Sequence, residues 1–323
     1  MRRLLSFVLK AGISAALLYL SLRRINLESL GHRLGDLDWR WIAFIIALAA
    51  AQVSVGAMRW RDIAIVCGAK LSAVTAQRYS FIGQFFSQVL PSTVGGDAVR
   101  IWLLARGGAG WPTSIYSVLI DRVVGVAMLA LLVAGCLPWT LQLIDDPVPR
   151  AALVVIGLGA LFAAFVFLAL GHPKLTIMER WWPTRHLAVA SRLAWKLCTS
   201  PIGARVAVTA LTVHLMTVLI AWGGGHAAHA SLDLEQALFL MLPVLLISTI
   251  PVSIAGWGLR ESAMVLAFSY AGLPEGDGLI VSILYGLATL AIGAVGGIVW
   301  VASGYKWSSV KAAETETLAH ERD

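Results

Sequence analysis

The 323-residue sequence is poor in charge, since only 13% of its residues are Asp, Glu, Lys or Arg, about half the share of a soluble domain. It has three cysteines, Cys67, Cys136 and Cys198, which lie far apart and form no CxxC pair. Neither a zinc site nor a disulfide framework is therefore expected. Apolar residues make up 59% of the chain, and its mean hydropathy is +0.80. These values exclude a soluble cytosolic enzyme and a secreted disulfide-rich domain, and they predict an all-α polytopic membrane protein.

Sequence motifs for nucleotide, nucleic-acid or metal chemistry are also missing. No Walker motif or nucleophile–base arrangement is present, so we predict no catalytic residues and no cofactor. The net charge is +7, but the basic residues lie between apolar stretches, which favours positive loops at a membrane over a nucleic-acid surface. His226 and His229 form an isolated H-x2-H without another nearby His or Cys, so no metal site is expected.

Six apolar stretches are long enough to cross a membrane. A transmembrane helix needs about 20 mostly apolar residues, and the qualifying stretches are 4–22, 41–58, 113–137, 151–170, 205–222 and 279–302. The first stretch resembles a signal peptide, but it contains Lys10 and has no small-residue cleavage site. We therefore interpret it as a retained first helix.

Two further apolar runs are too short or are broken. The run 79–90 stops at Pro91, and the run 235–250 stops at Pro251 before a glycine-rich turn. Short apolar segments that end in such turns are typical of re-entrant or broken helical hairpins. Pro91 and Pro251 are the predicted breaks.

The distribution of basic residues predicts the orientation in the membrane. The loop 171–205 contains six Lys or Arg residues and only one acid, Glu179, so it is expected on the cytoplasmic side. Counting spans outward from this loop places both termini in the cytoplasm. The loop 23–40 disagrees, because it is predicted outside yet carries four arginines.

The two breaks share a motif and indicate an internal repeat. Pro91, Gly96 and Arg100 recur as Pro251, Gly256 and Arg260, with the same Pro-x4-Gly-x3-Arg spacing and an offset of 160 residues. The predicted architecture is one transmembrane domain, 1–323, with half one at about 1–140, half two at about 141–305 and a polar tail at 306–323. Each half has three crossings, so the repeat is inverted, which is typical of transporters with a substrate site where the broken segments meet.

Both arginines of this motif are candidates for binding an anion. A helix that restarts after each break presents free N–H groups and a positive dipole end, and a guanidinium one turn further can clamp a phosphate. The predicted binding positions beside these arginines are Gly95, Gly96, Asp97, Gly256, Trp257 and Gly258. Two alternatives stay open for Arg100 and Arg260: snorkelling to the interface, or pairing with a neighbouring carboxylate.

The remaining charged candidates lie in or beside apolar segments, where charges are costly and usually functional. Asp97 either caps a helix N-terminus or contacts substrate. Glu261 either pairs with Arg100 or Arg122 or carries a coupling proton. Asp121 and Arg122 are adjacent in one span, so they point about 100° apart and are expected to have different partners; structural pairing and substrate contact both remain open.

Three segments together resemble a known family. QVLPSTVGGDAVR at 88–100, Asp121-Arg122, and IPVSIAGWGLRE at 250–261 resemble the lysylphosphatidylglycerol synthase transmembrane (flippase-like) family over nearly the whole chain. The resemblance implies translocation of a phospholipid, hopanoid or polyprenyl-linked lipid across a prokaryotic cytoplasmic (inner) membrane.

Two departures from this family affect the expectation. Many relatives carry Glu at the positions of Asp97 and Asp121. The chain also ends about twenty residues after its last span, so we expect no aminoacyl-transferase domain and no synthesis of lysylphosphatidylglycerol. A lipid-modifying enzyme is then an expected partner rather than a part of this chain.

The leading hypothesis is a lipid flippase that holds an anionic headgroup between the two broken hairpins through Arg100 and Arg260. No nucleotide site is visible, so transport is downhill or ion-coupled, with Glu261, Asp97 and Asp121 as proton-carrier candidates. One alternative is a secondary transporter of a small soluble anion. Another is a membrane scaffold for a lipid-modifying enzyme. The oligomeric state is not predicted.

Overall fold

A computed structural model describes residues 35–90, 95–144, 146–172, 182–250 and 256–305. The regular structure of these segments is helical, and they contain no strand. Their α-helices are α1 Trp39–Val66, α2 Ala73–Val89, α3 Gly95–Leu104, α4 Trp111–Thr140, α5 Pro147–Leu170, α6 Trp182–Cys198, α7 Pro201–Ala227, α8 Leu234–Ser248, α9 Leu259–Tyr270 and α10 Glu275–Ala302. A π-helical turn, Ala105–Ala109, joins α3 to α4, and a 3-10 turn, Leu141–Leu143, follows α4.

Five helices are long and apolar enough to cross a membrane: α1, α4 with its 3-10 turn, α5, α7 and α10. They confirm five of the predicted spans, and the sixth, 4–22, lies outside the described residues. Their outer faces carry large apolar side chains; Val155 is 71% exposed and Phe162 68%. Such a surface is suited to lipid contact.

Short helices occupy the two regions that were predicted to be broken. Helix α2 packs against α3, and α8 packs against α9. The first pair approaches closely because a Cβ atom at Gly96 would overlap the carbonyl oxygen of Gly83. Pro91 and Pro251 lie outside the described residues, so the breaks remain predictions.

The basic segment 171–205 differs from the sequence prediction, because it contains helix α6 rather than a loop throughout. Ala194 and Leu197 of α6 are buried against Ile63 and Ile120. Since Ala190, Ala194 and Leu197 recur at helical spacing and are all buried, one apolar face anchors α6 to the bundle while its basic residues lie elsewhere on the helix.

Helices α1–α4 and α7–α10 repeat the same order of long, short, short and long. A shift of 160 residues takes Trp39–Val66 to 199–226, beside α7, and takes Ala73–Val89 to 233–249, beside α8. The packing repeats as well. Each extensive contact among α1–α4 and α7–α10 has a counterpart between the equivalent helices. The contact of α2 with α10 corresponds to the contact of α8 with α4, and the contact of α3 with α4 corresponds to the contact of α9 with α10. Helices α1 and α7, which are equivalent, pack on each other.

Aromatic side chains from α1, α2, α3 and α10 pack together in one cluster. Trp60, Phe86, Trp102 and Trp300 are all buried in one core. Helix α1 continues to Val66, so Trp60 lies within the helix rather than at its end.

Candidate functional site

Five charged residues of the first half meet where α1, α3 and α4 converge. Asp97 and Arg100 lie three residues apart on α3, which places them on one face of the helix. Asp121 and Arg122 come from α4, and Arg59 comes from α1. We call these five residues the first cluster.

The first cluster is a chain of alternating charges. Arg100 donates from Nη1 to Asp97 Oδ1 over 3.2 Å and from Nη2 to Asp121 Oδ2 over 3.1 Å. Arg59 Nε donates to Asp121 Oδ1 over 2.8 Å. Arg122 Nε donates to Asp97 Oδ2 over 2.5 Å. The adjacent Asp121 and Arg122 therefore have different hydrogen-bond partners, as predicted.

Three guanidinium groups face two carboxylates, so the first cluster carries one excess positive charge. The Asp97 and Asp121 side chains are 6% and 5% exposed, and those of Arg59 and Arg100 are 11% and 12% exposed. The Arg122 side chain is 57% exposed. The four buried groups balance one another, so the excess positive charge lies on the exposed Arg122 guanidinium. That charge favours an anion beside Arg122.

A cavity of about 140 Å³ opens at the first cluster. It is bounded by α1, α2, α3 and α4, and its lining includes all five charged residues together with Ser80, Gln84 and Gly96. Two buried polar atoms at this site, Arg100 Nε and Ser80 Oγ, have no hydrogen-bond partner among the described residues. Buried polar atoms are normally paired, and these two are available to a ligand with acceptor oxygens.

The guanidinium groups are held in place but keep donors for a ligand. Arg100 lies over the Trp60 ring, with its Cζ 4.2 Å from the ring centroid, a cation–π contact that fixes its plane. Arg59 and Arg122 pair through Nε. Because a guanidinium offers five N–H donors, each can still donate to a bound anion.

A second cluster lies in the other half, at the start of α9. Arg260 donates from Nη2 to Glu261 Oε1 over 2.6 Å and from Nε to Ser282 Oγ of α10 over 3.0 Å. Ser282 donates to the same Glu261 oxygen over 3.0 Å. Glu261 Oε2 accepts the backbone N–H of Gly258 over 2.5 Å. The carboxylate thus closes the first turn of α9 as well as pairing with the arginine.

The second cluster is electrically balanced and enclosed. Arg260 is 5% exposed and Glu261 is 0% exposed. The Arg260 guanidinium lies 5.2 Å from the Trp257 ring and 5.0 Å from the Tyr285 ring. The snorkelling interpretation is therefore wrong for Arg260. The predicted pairing of Glu261 with Arg100 or Arg122 is also wrong, because Glu261 pairs with the adjacent Arg260 on α9.

The structure does not bring Arg100 and Arg260 into one cavity. Arg100 lines the first-half cavity, whereas Arg260 and Glu261 do not. Each arginine instead binds the long helix of its own half, Arg100 through Asp121 and Arg260 through Ser282.

The glycines of the two motifs serve different local purposes. Gly95 and Gly96 are buried where α3 meets α2, and Gly96 also lines the cavity. Gly256 and Gly258 have φ angles of 81° and 85°, which side chains rarely adopt. Asp97 lies inside the first turn of α3, so the interpretation as an N-cap is wrong.

Arg59 and Ser80 line the cavity and Trp60 contacts Arg100, but none of the three was identified from the sequence. Arg59 falls directly after the predicted span 41–58, because the apolar run stops at residue 58. One signal was available. Asp121 lies inside the predicted span 113–137, where a carboxylate needs a cation, and Arg59 directly follows the predicted span 41–58.

Two histidines make structural contacts. His214 Nε2 lies 2.9 Å from the carbonyl oxygen of Gly125, and the His226 ring stacks on Trp41 at 4.7 Å between centroids. Within the segments that the structure describes, no group of three His, Cys, Asp or Glu residues is arranged to hold a metal ion.

Comparison with protein-family models identifies the family of this chain. Residues 7–297 match the family model described as the lysylphosphatidylglycerol synthase TM region. The chain belongs to this family. The match covers both charged clusters and, with the five apolar helices, shows a multi-pass membrane protein. No curated protein matches the chain.

Proposed function

We propose that this member of the lysylphosphatidylglycerol synthase TM-region family transports an anionic lipid across the prokaryotic cytoplasmic membrane. The observation that carries the proposal is the cavity at the first cluster, where three arginines outnumber two aspartates and two buried polar atoms lack partners among the described residues. The phosphate of a lipid headgroup offers a negative charge and acceptor oxygens for these groups.

The size of the cavity favours a headgroup phosphate over an entire lipid. Its volume of about 140 Å³ is below the range of roughly 300–1,000 Å³ for pockets that enclose a whole drug-sized ligand. Acyl chains would stay in the bilayer, against the exposed apolar faces of the spans. The same volume fits a small soluble anion, so a secondary anion transporter is the second candidate.

The repeated helices suggest how the site changes its access. We propose that α1–α4 and α7–α10 are inverted-topology halves, with α2–α3 and α8–α9 as re-entrant hairpins, six full spans in total and both termini in the cytoplasm. Transporters of this type work by moving one half against the other. The open, positively charged first cluster and the closed, balanced second cluster would then represent the two ends of such a cycle.

A translocation assay tests the proposed function. Proteoliposomes would contain phosphatidylglycerol or phosphatidylcholine labelled on an acyl chain, and an impermeant reductant would quench the label in the outer leaflet. We expect protein-dependent translocation of phosphatidylglycerol, slowed about tenfold by Arg122→Gln, because one charge-assisted hydrogen bond is lost. This variant should fold, since Asp97 keeps Arg100 as a partner.

The matched control is Arg40→Gln, which removes an exposed arginine at the start of α1 and should leave the rate unchanged. Equal phosphatidylglycerol rates in empty and protein-containing vesicles would contradict lipid transport. In that case, protein-dependent uptake of inorganic phosphate would identify the anion-transporter alternative, and absence of both activities would favour the scaffold.

A further inference from the structure

A second cavity, of about 560 Å³, lies at the far end of α3. It is enclosed by α2, the end of α3, the π-helical turn and the residues that follow α10, and its lining residues are Tyr79, Trp102, Leu103, Arg106, Gly107, Gly304 and Tyr305. It shares no lining residue with the cavity at the first cluster. The proposed transport site therefore does not use it.

The walls of this second cavity are aromatic and cationic. The Arg106 guanidinium lies 5.2 Å from the Trp102 ring centroid. Arg78 is not a lining residue, but its guanidinium lies beside two of them, 5.5 Å from the Tyr79 ring and 5.9 Å from the Tyr305 ring. No acidic residue is among the described lining residues, so the part of the wall that the structure describes carries positive charge from Arg106. Such a wall attracts an anion.

A buried donor at this wall also lacks a partner. Trp102 is 2% exposed, and its indole Nε1 has no hydrogen-bond partner within the described segments. A tryptophan N–H that is buried usually finds an acceptor. The ring is covered by Arg106, which is an exposed side chain and can therefore move with a ligand to let an acceptor oxygen reach the N–H.

Exposed apolar side chains lie close in sequence to the residues at this cavity. Val74, one turn before Arg78 on α2, is 78% exposed, and Val301, just before the lining residue Gly304, is 76% exposed. Aromatic and arginine side chains beside an exposed apolar surface are typical of the membrane interface. A ligand at this position has room for a charged head in the cavity and hydrocarbon chains outside it.

From these observations we propose that the second cavity binds the headgroup phosphate of an anionic phospholipid as a stationary lipid. Arg106 and Arg78 would contact the phosphate, the Trp102 N–H would donate to one of its oxygens, and Val74 and Val301 would contact the acyl chains. Free phosphate esters share the headgroup chemistry but lack those chains, and this difference separates the two sources.

Native mass spectrometry of the full chain in detergent tests the site. Phosphatidylglycerol, phosphatidylcholine and soluble glycerol 3-phosphate would be titrated separately. We expect two specific phosphatidylglycerol molecules on the wild-type protein. Arg106→Gln and Trp102→Phe should each weaken one of them about tenfold, the effect of one lost hydrogen bond to a charged group. Arg122→Gln should weaken only the other, and Arg40→Gln should weaken neither.

Wild-type affinity for both phosphatidylglycerol molecules in Arg106→Gln and Trp102→Phe would overturn the proposal, as would equal affinity for phosphatidylcholine. Binding of glycerol 3-phosphate as tight as that of phosphatidylglycerol would show a soluble ligand instead. Because Arg106 is exposed, its variant keeps the fold, and a thermal melt of each variant separates lost binding from lost structure. A failure of lipid translocation would leave this result standing, since the two cavities are tested by different variants.

Discussion

Replacing Asp121 with alanine is expected to lower the free energy of unfolding by about 3–5 kcal/mol, the usual cost of breaking a buried ion pair from one side. The Asp121 side chain is 5% exposed and pairs with both Arg59 and Arg100. Without it Arg59 loses its carboxylate, while Arg100 keeps only Asp97. The first cluster would then hold three cations against one anion.

Chemical unfolding in detergent micelles measures this loss. Asp36→Ala is the control, because Asp36 is exposed, and its variant should unfold like the wild type. The double variant Asp121→Ala with Arg59→Met should regain most of the lost stability, since the unpaired cation is removed. A single variant Asp121→Ala that unfolds like the wild type would show that the ion pairs do not hold α1, α3 and α4 together.

Glu261→Ala is expected to have a loss of similar size, about 3–5 kcal/mol. Glu261 is fully buried and accepts from Arg260, Ser282 and the backbone of Gly258. Its removal leaves one buried charge and two buried polar groups without their acceptor. Glu235→Ala, which removes an exposed carboxylate from the first turn of α8, is the matched control and should cost about 1 kcal/mol or less.

The double variant Arg260→Met with Glu261→Leu separates structure from transport. Buried ion pairs can often be replaced by apolar residues of similar volume without loss of stability, so this variant should be more stable than Glu261→Ala. If the second cluster takes part in the cycle, its lipid translocation should nevertheless be slow. A double variant with wild-type stability and wild-type translocation would assign the pair a purely structural role.

The five described spans and the positions of the short helices could be predicted because the membrane imposes strong constraints. A crossing helix needs a long apolar run, and a Pro-Gly break in such a run stands out. The five described spans and the two short helix pairs follow from these signals. The repeated arginines also stood out, since charges are rare in apolar segments, and the family match covers both of them.

The pairing of individual charges could not be predicted, because it depends on side-chain reach across helices. The predicted span 41–58 ends eight residues before Val66, the last residue of α1, and so stops just before Arg59. Glu261 pairs with its neighbour Arg260 because the first turn of α9 holds the carboxylate at Gly258. Helix α6 was missed for a different reason: its strongly basic composition concealed the buried face of Ala190, Ala194 and Leu197.

The central claim is that the excess positive charge of the first cluster binds a lipid phosphate. The most direct measurement is a cryo-electron microscopy structure of the full chain in nanodiscs made of phosphatidylglycerol. We expect density for a phosphate in contact with Arg59, Arg100 and Arg122, with acyl chains running along the outside of the spans. A cavity that contains only water in phosphatidylglycerol nanodiscs would contradict the claim.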